Sequence, residues 1–168
     1  NDEDSIYDRN LLSEFKNKLE NIKPENFSRY TKLLSLLNDK TYAWDKKAVN
    51  DRIVIFTERL ETMKFLKTQL AKDCNLKDGE IVEFHGSMSD LDQQKLVDEF
   101  GSENSKIKIM VATDVASEGI NLHYMSHRMI HFDIPWSLMV FQQRNGRIDR
   151  YGQEKTPDIR YLVTLSSN

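Results

Sequence analysis

Short apolar runs alternate with amphipathic stretches from residue 52 onward, and this alternation limits the fold more than any other feature of the chain. Ile53, Val54, Ile55 and Phe56 follow one another without a polar break, the pattern of a strand buried on both faces. Residues 59–73 then show helical spacing, with Leu60, Met63, Leu66 and Leu70 directed inward. The same reading predicts strands over 81–84, 107–112, 129–132 and 159–164. It predicts helices over 89–100, with Ser89 as N-cap, and over 137–150, stopped near Gly152. Strands alternating with helices build βαβ units, so the expected fold is α/β, with a parallel sheet between helical layers. Ligands of such sheets gather at the carboxyl ends of the strands. The loops expected to matter are therefore 57–58, 85–86, 113–122 and 133–136.

The first 50 residues read differently, as a polar, helical extension. Leu11, Leu12, Phe15, Leu19 and Ile22 recur at helical spacing, and Pro24 breaks that run. Phe27, Tyr30, Leu33, Leu34 and Leu37 predict a second amphipathic helix with these side chains on one face. Residues 38–51 read as a loop, in which Trp44 is expected to act as a packing anchor. The expected division is thus an extension over 1–50 and an α/β domain over 51–168.

Composition excludes several classes. With 168 residues, 39% of them hydrophobic, the chain can bury a core without metals or disulfides. Cys74 is the single cysteine, which rules out an internal disulfide and suits a reducing, cytoplasmic setting. No apolar run approaches the roughly 20 residues of a membrane helix, so no membrane partner is expected. The chain opens on Asn1 rather than Met, which points to a segment of a longer protein. The net charge of −3 gives no global attraction to nucleic acid, so any such contact must come from a local patch or from backbone groups.

Three segments could carry chemistry. Gln-Arg-Asn-Gly-Arg-Ile-Asp-Arg at 143–150 puts Gln143, Arg147 and Arg150 on one face if the segment is helical. Two forked guanidiniums on one face suit phosphate oxygens. A solvated basic helix face fits the same spacing, and spacing alone does not choose. Ala-Thr-Asp-Val-Ala-Ser-Glu-Gly-Ile-Asn-Leu at 112–122 follows a buried strand, with Thr113 and Asp114 able to cap and Gly119 permitting close approach. An ordinary strand-to-helix turn reads the same way. His85 and Gly86 also lie between a strand and a helix. His123, His127 and His131 are spaced by four, but the last falls in a predicted strand, so no metal site is expected. Trp136, like Trp44, reads as a packing residue rather than a base-stacking one.

Taken in order, Ile-Phe-Thr-Glu at 55–58, His-Gly at 85–86, the 112–122 segment and Gln-Arg-Asn-Gly-Arg-Ile-Asp-Arg-Tyr-Gly-Gln at 143–153 resemble motifs IV, IVa, V and VI of the C-terminal lobe of superfamily 2 helicases. Gly-Ile-Asn-Leu and the trailing Arg-Tyr-Gly-Gln resemble the SWI/SNF branch, most of all its bacterial RNA-polymerase-associated type. The resemblance covers residues 52–165. It departs from the DEAD type of RNA helicase at Glu118, where that group has Arg, and at Asn121, where it has an acidic residue.

The resemblance implies a three-layer RecA-like lobe. It implies ATP and Mg²⁺ as cofactors, held mainly by an N-terminal RecA-like lobe of the same protein. The chain itself has no Gly-x-x-x-x-Gly-Lys-Ser/Thr loop and no Asp-Glu-x-Asp/His sequence after a strand. This lobe would add Arg147 and Arg150 as catalytic arginines, and Gly119, Asn121 and Gln143 as nucleotide contacts. Thr57, Glu58, His85, Gly86, Thr113 and Asp114 would lie along a nucleic-acid surface, with double-stranded DNA as the partner and RNA polymerase as a candidate protein target. The isolated chain would be inactive, and a bacterial parent would be nucleoid-associated. The alternative is a non-catalytic α/β interaction module derived from such a lobe. A free-standing nucleotide-binding enzyme is disfavoured, because no Gly-rich loop opens a helix after the first strand.

Overall fold

The structure is a computed structural model that describes residues 24–113, 122, 125–133, 138–148 and 153–162. Its elements are α1 (Pro24–Leu37), β1 (Ile53–Thr57), α2 (Leu60–Asp73), β2 (Ile81–Phe84), α3 (Asp90–Phe100), β3 (Ile109–Thr113), β4 (Arg128–His131), α4 (Leu138–Asn145) and β5 (Asp158–Tyr161). The strands form one parallel sheet in the order β2-β3-β1-β4-β5. The expected α/β architecture is therefore present.

Chain direction and the right-handed crossover rule together assign the layers. From β1 the chain moves outward to β2 through α2, then back to β3 through α3, so the two helices must lie on opposite faces. The side chains agree. Ile53, Ile55, Ile109, Val111 and Ile130 face α2, whose Met63, Leu66 and Leu70 are buried against them. Val54, Phe56, Met110, Ala112 and Met129 face the other way, towards Phe100 of α3 and Ile148. Every residue of β1, β3 and β4 is buried, whereas β5 is only half-buried to exposed.

Helix α1 belongs to the first of these cores. Tyr30, Leu33 and Leu37 are buried with the α2 side chains, and Tyr30 meets Phe65 edge-on at 5.4 Å between ring centres. Its inward face is narrower than expected, because Phe27 points to solvent. Leu60 is also exposed rather than inward, since it stands at the first residue of α2, beyond the sheet it was expected to cover.

Local signals set several ends. Ser89 Oγ accepts from Asp92 N at 3.1 Å and caps α3. Helix α2 closes with Asn75 in the left-handed region (φ 52°), while Leu76 N donates to Ala71 O at 2.8 Å and Asn75 N to Lys72 O at 3.3 Å. Two buried arginines close the amino edge. Arg52 donates to the carbonyls of Phe100, Ser102 and Ser105, which lie at and beyond the end of α3. Arg128 pairs with Asp51 at 2.5 Å and donates to Tyr42 O at 2.8 Å. Trp44 Nε1 donates to Asp51 O at 2.8 Å, so Trp44 is the loop anchor expected.

The main departure is at the last helix. It ends at Asn145, not near 150, and Gly146 to Ile148 form a turn. Arg147 N and Ile148 N bond three residues back, to Arg144 O (3.1 Å) and Asn145 O (3.2 Å), which tightens the chain out of α-helical register. Gln143 and Arg147 consequently do not share a helix face: Gln143 is exposed and Arg147 buried. The predicted helix over residues 1–22 and the final part of the last strand lie outside the described residues.

One interaction fastens α1 to α2. The Tyr30 hydroxyl donates to the Asp73 carboxylate, which also accepts from Gln69 Nε2 at 3.0 Å. The Tyr30 bond, then that of Gln69, holds the Asp73 carboxyl below its ordinary value. A depressed carboxyl pKa gives stability that is complete above the unfolded-state value and is lost as pH falls through the folded one. Tyr30→Phe should therefore melt about 2–4 °C below the unsubstituted protein near neutral pH. In thermal melts from about pH 6 to about pH 3, that gap should close as the solution becomes acidic. A gap that is constant across the range excludes this bond as its source.

Candidate functional site

All five strands point the same way, so the carboxyl ends of β1 to β4 share one edge. Thr57 closes β1 and is paired in register with Thr113 at the end of β3. Both hydroxyl-bearing residues are buried. The end of β4 sits on the other side of β1, with Phe56 and His131 in register.

Asp133 is the centre of this edge. Its carboxylate accepts from Thr57 Oγ1 and from Glu58 N, at 3.0 and 3.2 Å to its two oxygens. It also pairs with Arg144 Nη2 at 3.5 Å. Arg144 is wholly buried, and its Nη1 donates to Asp133 O at 2.9 Å and to His131 Nδ1 at 3.1 Å. The guanidinium lies 5.5 Å from the Phe56 ring centre. An arginine can only donate, so His131 Nδ1 must accept and the imidazole proton sits on Nε2. That Nε2–H donates to Asn145 Oδ1 at 2.8 Å. A neutral imidazole thus bridges two consecutive residues of α4, with its ring stacked against Phe56.

The turn after α4 is tied to the segment that follows β3. Leu122 N donates to Arg147 O at 3.1 Å. Gln153 Nε2 donates to Ile148 O at 3.2 Å and to Ser126 O at 2.9 Å, which holds the far side of the turn. Arg147 is 8% exposed, so most of its side chain, the guanidinium Nε included, is enclosed by the lobe. On the β2 side, His85 O accepts from Met88 N at 3.3 Å and from Gln93 Nε2 at 3.0 Å, a closed turn that leaves Gly86 at the surface.

Of the residues singled out from sequence, the structure brings Thr57, Glu58 and Thr113 to this edge, with His85 and Gly86 at the end of β2, Gln143 exposed on α4 and Arg147 in the turn beyond it. Asp114, Gly119, Asn121 and Arg150 lie outside the described residues, as does His123. His127 and His131 are parted by the length of β4. His127 lies 3.8 Å from Asp51 at the amino edge, where burial lowers its pKa and Asp51 opposes that shift. Among the described residues no three His, Cys, Asp or Glu side chains group as a metal site.

Sequence reasoning pointed to the loop at 133–136 but missed the roles of Asp133, His131 and Arg144 in the site. One signal was available. His131 stands between Ile130 and Phe132 in an apolar strand, and a polar side chain buried there needs a partner.

The family of the helicase conserved C-terminal domain matches residues 28–152. The chain is 35% identical over 118 residues to an uncharacterized ATP-dependent helicase, YqhH, of Bacillus subtilis, with 70% of the chain and 20% of that protein covered. It is 28% identical over 123 residues to the RNA polymerase-associated protein RapA of Vibrio campbellii, covering 72% of the chain and 12% of RapA. The chain thus spans a fifth or less of these two relatives. Among solved structures, the C-terminal part of the Fun30 ATPase domain superposes with a TM-score of 0.66 at 26% identity, over 84% of the chain and 41% of that one. Together, the parallel sheet, the edge geometry and these matches show that the chain belongs to the helicase conserved C-terminal domain family, as a C-terminal RecA-like lobe of the SWI/SNF branch of superfamily 2.

Proposed function

We propose that this lobe is one half of an ATP-driven nucleic-acid translocase, and that it acts by bringing arginines to a nucleotide held chiefly by a second, N-terminal RecA-like lobe. The observation that carries the reading is the bond between Leu122 N and Arg147 O. It joins the segment resembling motif V to the one resembling motif VI. Movement of either segment is therefore felt by the other.

The residues present fit part of a nucleotide site. Arg147, with Arg150 three positions on, supplies permanent cations with forked donors for phosphate oxygens. Gln143 is exposed and free to reach a nucleotide, and Gly119 and Asn121 complete the proposed contacts. The Mg²⁺ share does not fit here. Asp133 already serves Thr57, Glu58 and Arg144, and a carboxylate so engaged is a poor ligand for a hard cation. ATP supplies the phosphoryl group, and this lobe's part is to place positive charge where negative charge spreads in the transition state.

Duplex DNA is the proposed track, with Thr57, Glu58, His85, Gly86, Thr113 and Asp114 along its path. Glu58 N, Thr57 Oγ1 and His85 O are already committed inside the lobe, so contact there falls to the surface at Glu58 and Gly86. With a net charge of −3, the affinity of the lobe alone is weak and lost with modest salt. RNA polymerase, with which the relative RapA is associated by name, is the proposed protein target.

The isolated lobe should hydrolyse no ATP above background, with or without DNA, in a steady-state phosphate-release assay. DNA-stimulated turnover by residues 1–168 alone would refute the shared-site reading.

In the two-lobed protein, Arg147→Ala or Arg150→Ala should lower kcat by about 10³-fold or more while ATP affinity changes little, because the lost contacts are made chiefly in the transition state. Arg147→Lys should rescue poorly. Arg144→Ala is unsuitable as a mild control, since Arg144 is wholly buried. Gln142→Ala, on the exposed face of α4, takes that place. Near-normal kcat in both arginine variants would return 143–150 to a structural role.

A further inference from the structure

The turn that carries Arg147 hangs from two carbonyls. Arg147 N donates to Arg144 O at 3.1 Å, and Ile148 N to Asn145 O at 3.2 Å. The residues owning those carbonyls are themselves anchored to the sheet through their side chains. Arg144 is held by Asp133 O at 2.9 Å, by the Asp133 carboxylate at 3.5 Å and by His131 Nδ1 at 3.1 Å. Asn145 is held by His131 Nε2 at 2.8 Å. The Asp133 carboxylate in turn grips the end of β1 through Thr57 Oγ1 and Glu58 N.

We propose that Asp133 and Arg144 are positioning residues for Arg147: they fix the turn after α4 against the ends of β1 and β4, and through that turn set where the Arg147 guanidinium can reach. The proposal rests on the reading of Arg147 as a transition-state arginine. Position matters because a displacement of about 1 Å at a reacting centre can cost about 10²-fold in rate. Charge matters too. Asp133 neutralises the buried Arg144 cation, so Arg144 is a structural cation and not a competitor for phosphate.

The chemistry at Asp133 is specific enough to test. The carboxylate serves three donors: the Thr57 hydroxyl, the Glu58 amide and Arg144 Nη2. An asparagine has the same shape but one acceptor oxygen, so Asp133→Asn leaves Arg144 without its counter-charge while the volume is kept. A residue acting through Arg147 cannot matter once Arg147 is gone.

The experiment is a double-mutant cycle in the two-lobed protein with saturating DNA. It compares the unsubstituted protein, Asp133→Asn, Arg147→Ala and the double variant for kcat, ATP KM and melting temperature. The proposal expects Asp133→Asn to lose about tenfold to hundredfold in kcat with ATP KM within about threefold, at temperatures well below its melting point. It expects the double variant to be no slower than Arg147→Ala alone. Arg144→Lys, which keeps the cation but not the fork, is the second variant should Asp133→Asn fail to fold, and should show the same pattern. If Arg147→Ala is crippled while Asp133→Asn and Arg144→Lys keep normal kcat, or if the losses multiply in the double variant, the positioning role is overturned and the arginine reading stands. A loss in Asp133→Asn confined to temperatures near its melting point also overturns it, as a defect of folding alone. If Arg147→Ala keeps normal kcat, the arginine reading itself falls and takes this proposal with it.

Discussion

Strand β1 is covered on both faces and bonded on both sides, and most of the molecule follows from satisfying it. Two helical layers are needed to keep Ile53 and Ile55 on one face and Val54 and Phe56 on the other away from water. Parallel neighbours are needed because only crossovers long enough to hold a helix can supply those layers. Once all strands run one way, their carboxyl ends share an edge. The convergence of residues far apart in sequence, such as Thr57, Thr113, His131 and Asp133, is a consequence of covering β1.

The same sheet poses a polar problem at each end, where chain leaves the ladder and carbonyls or amides lose partners. Buried guanidiniums answer it. Arg52 collects three carbonyls at and beyond the end of α3, and burial lowers its pKa while the charge of Glu99 opposes that shift. Arg128 is balanced differently. Burial works most strongly against its charge, but the hydrogen bond and negative charge of Asp51, together with Tyr42, outweigh it and raise its pKa. Arg144 does the corresponding work at the carboxyl edge, with Asp133 as counter-charge. A fork of five donors is what makes arginine, and not lysine, fit each position. Removing one member of such a buried pair costs about 3–5 kcal/mol, because the other is stranded.

Much of this order can be read from the chain, for reasons that differ between elements. The apolar run at 53–56 announces a strand because burial on both faces leaves no room for a polar residue. Ser89 announces the start of α3 because a hydroxyl is what the free amides there need. The end of α4 was not legible. Residues 143–150 have helical spacing, and the tightening at Gly146 to Ile148 depends on bonds from Leu122 and Gln153, which come from elsewhere in the chain. The burial of Arg144 was not legible for a related reason. On a helical wheel it is merely off the Arg147 face, and its burial depends on His131 and Asp133 waiting at the end of β4. Motif order identified the family, and it said nothing of the polar scaffold that the motif residues share.

The imidazole of His131 has a property separate from its role as a strut. It is shut off from water, with one nitrogen accepting from Arg144 and the other donating to Asn145. An N–H so placed exchanges with solvent only when the surrounding structure opens. It also has a chemical environment unlike that of the half-buried His85 and His127. This single proton is therefore a natural magnetic-resonance beacon for the carboxyl edge. Its lifetime measures how often β1, β4 and the turn after α4 part company, without any label being introduced.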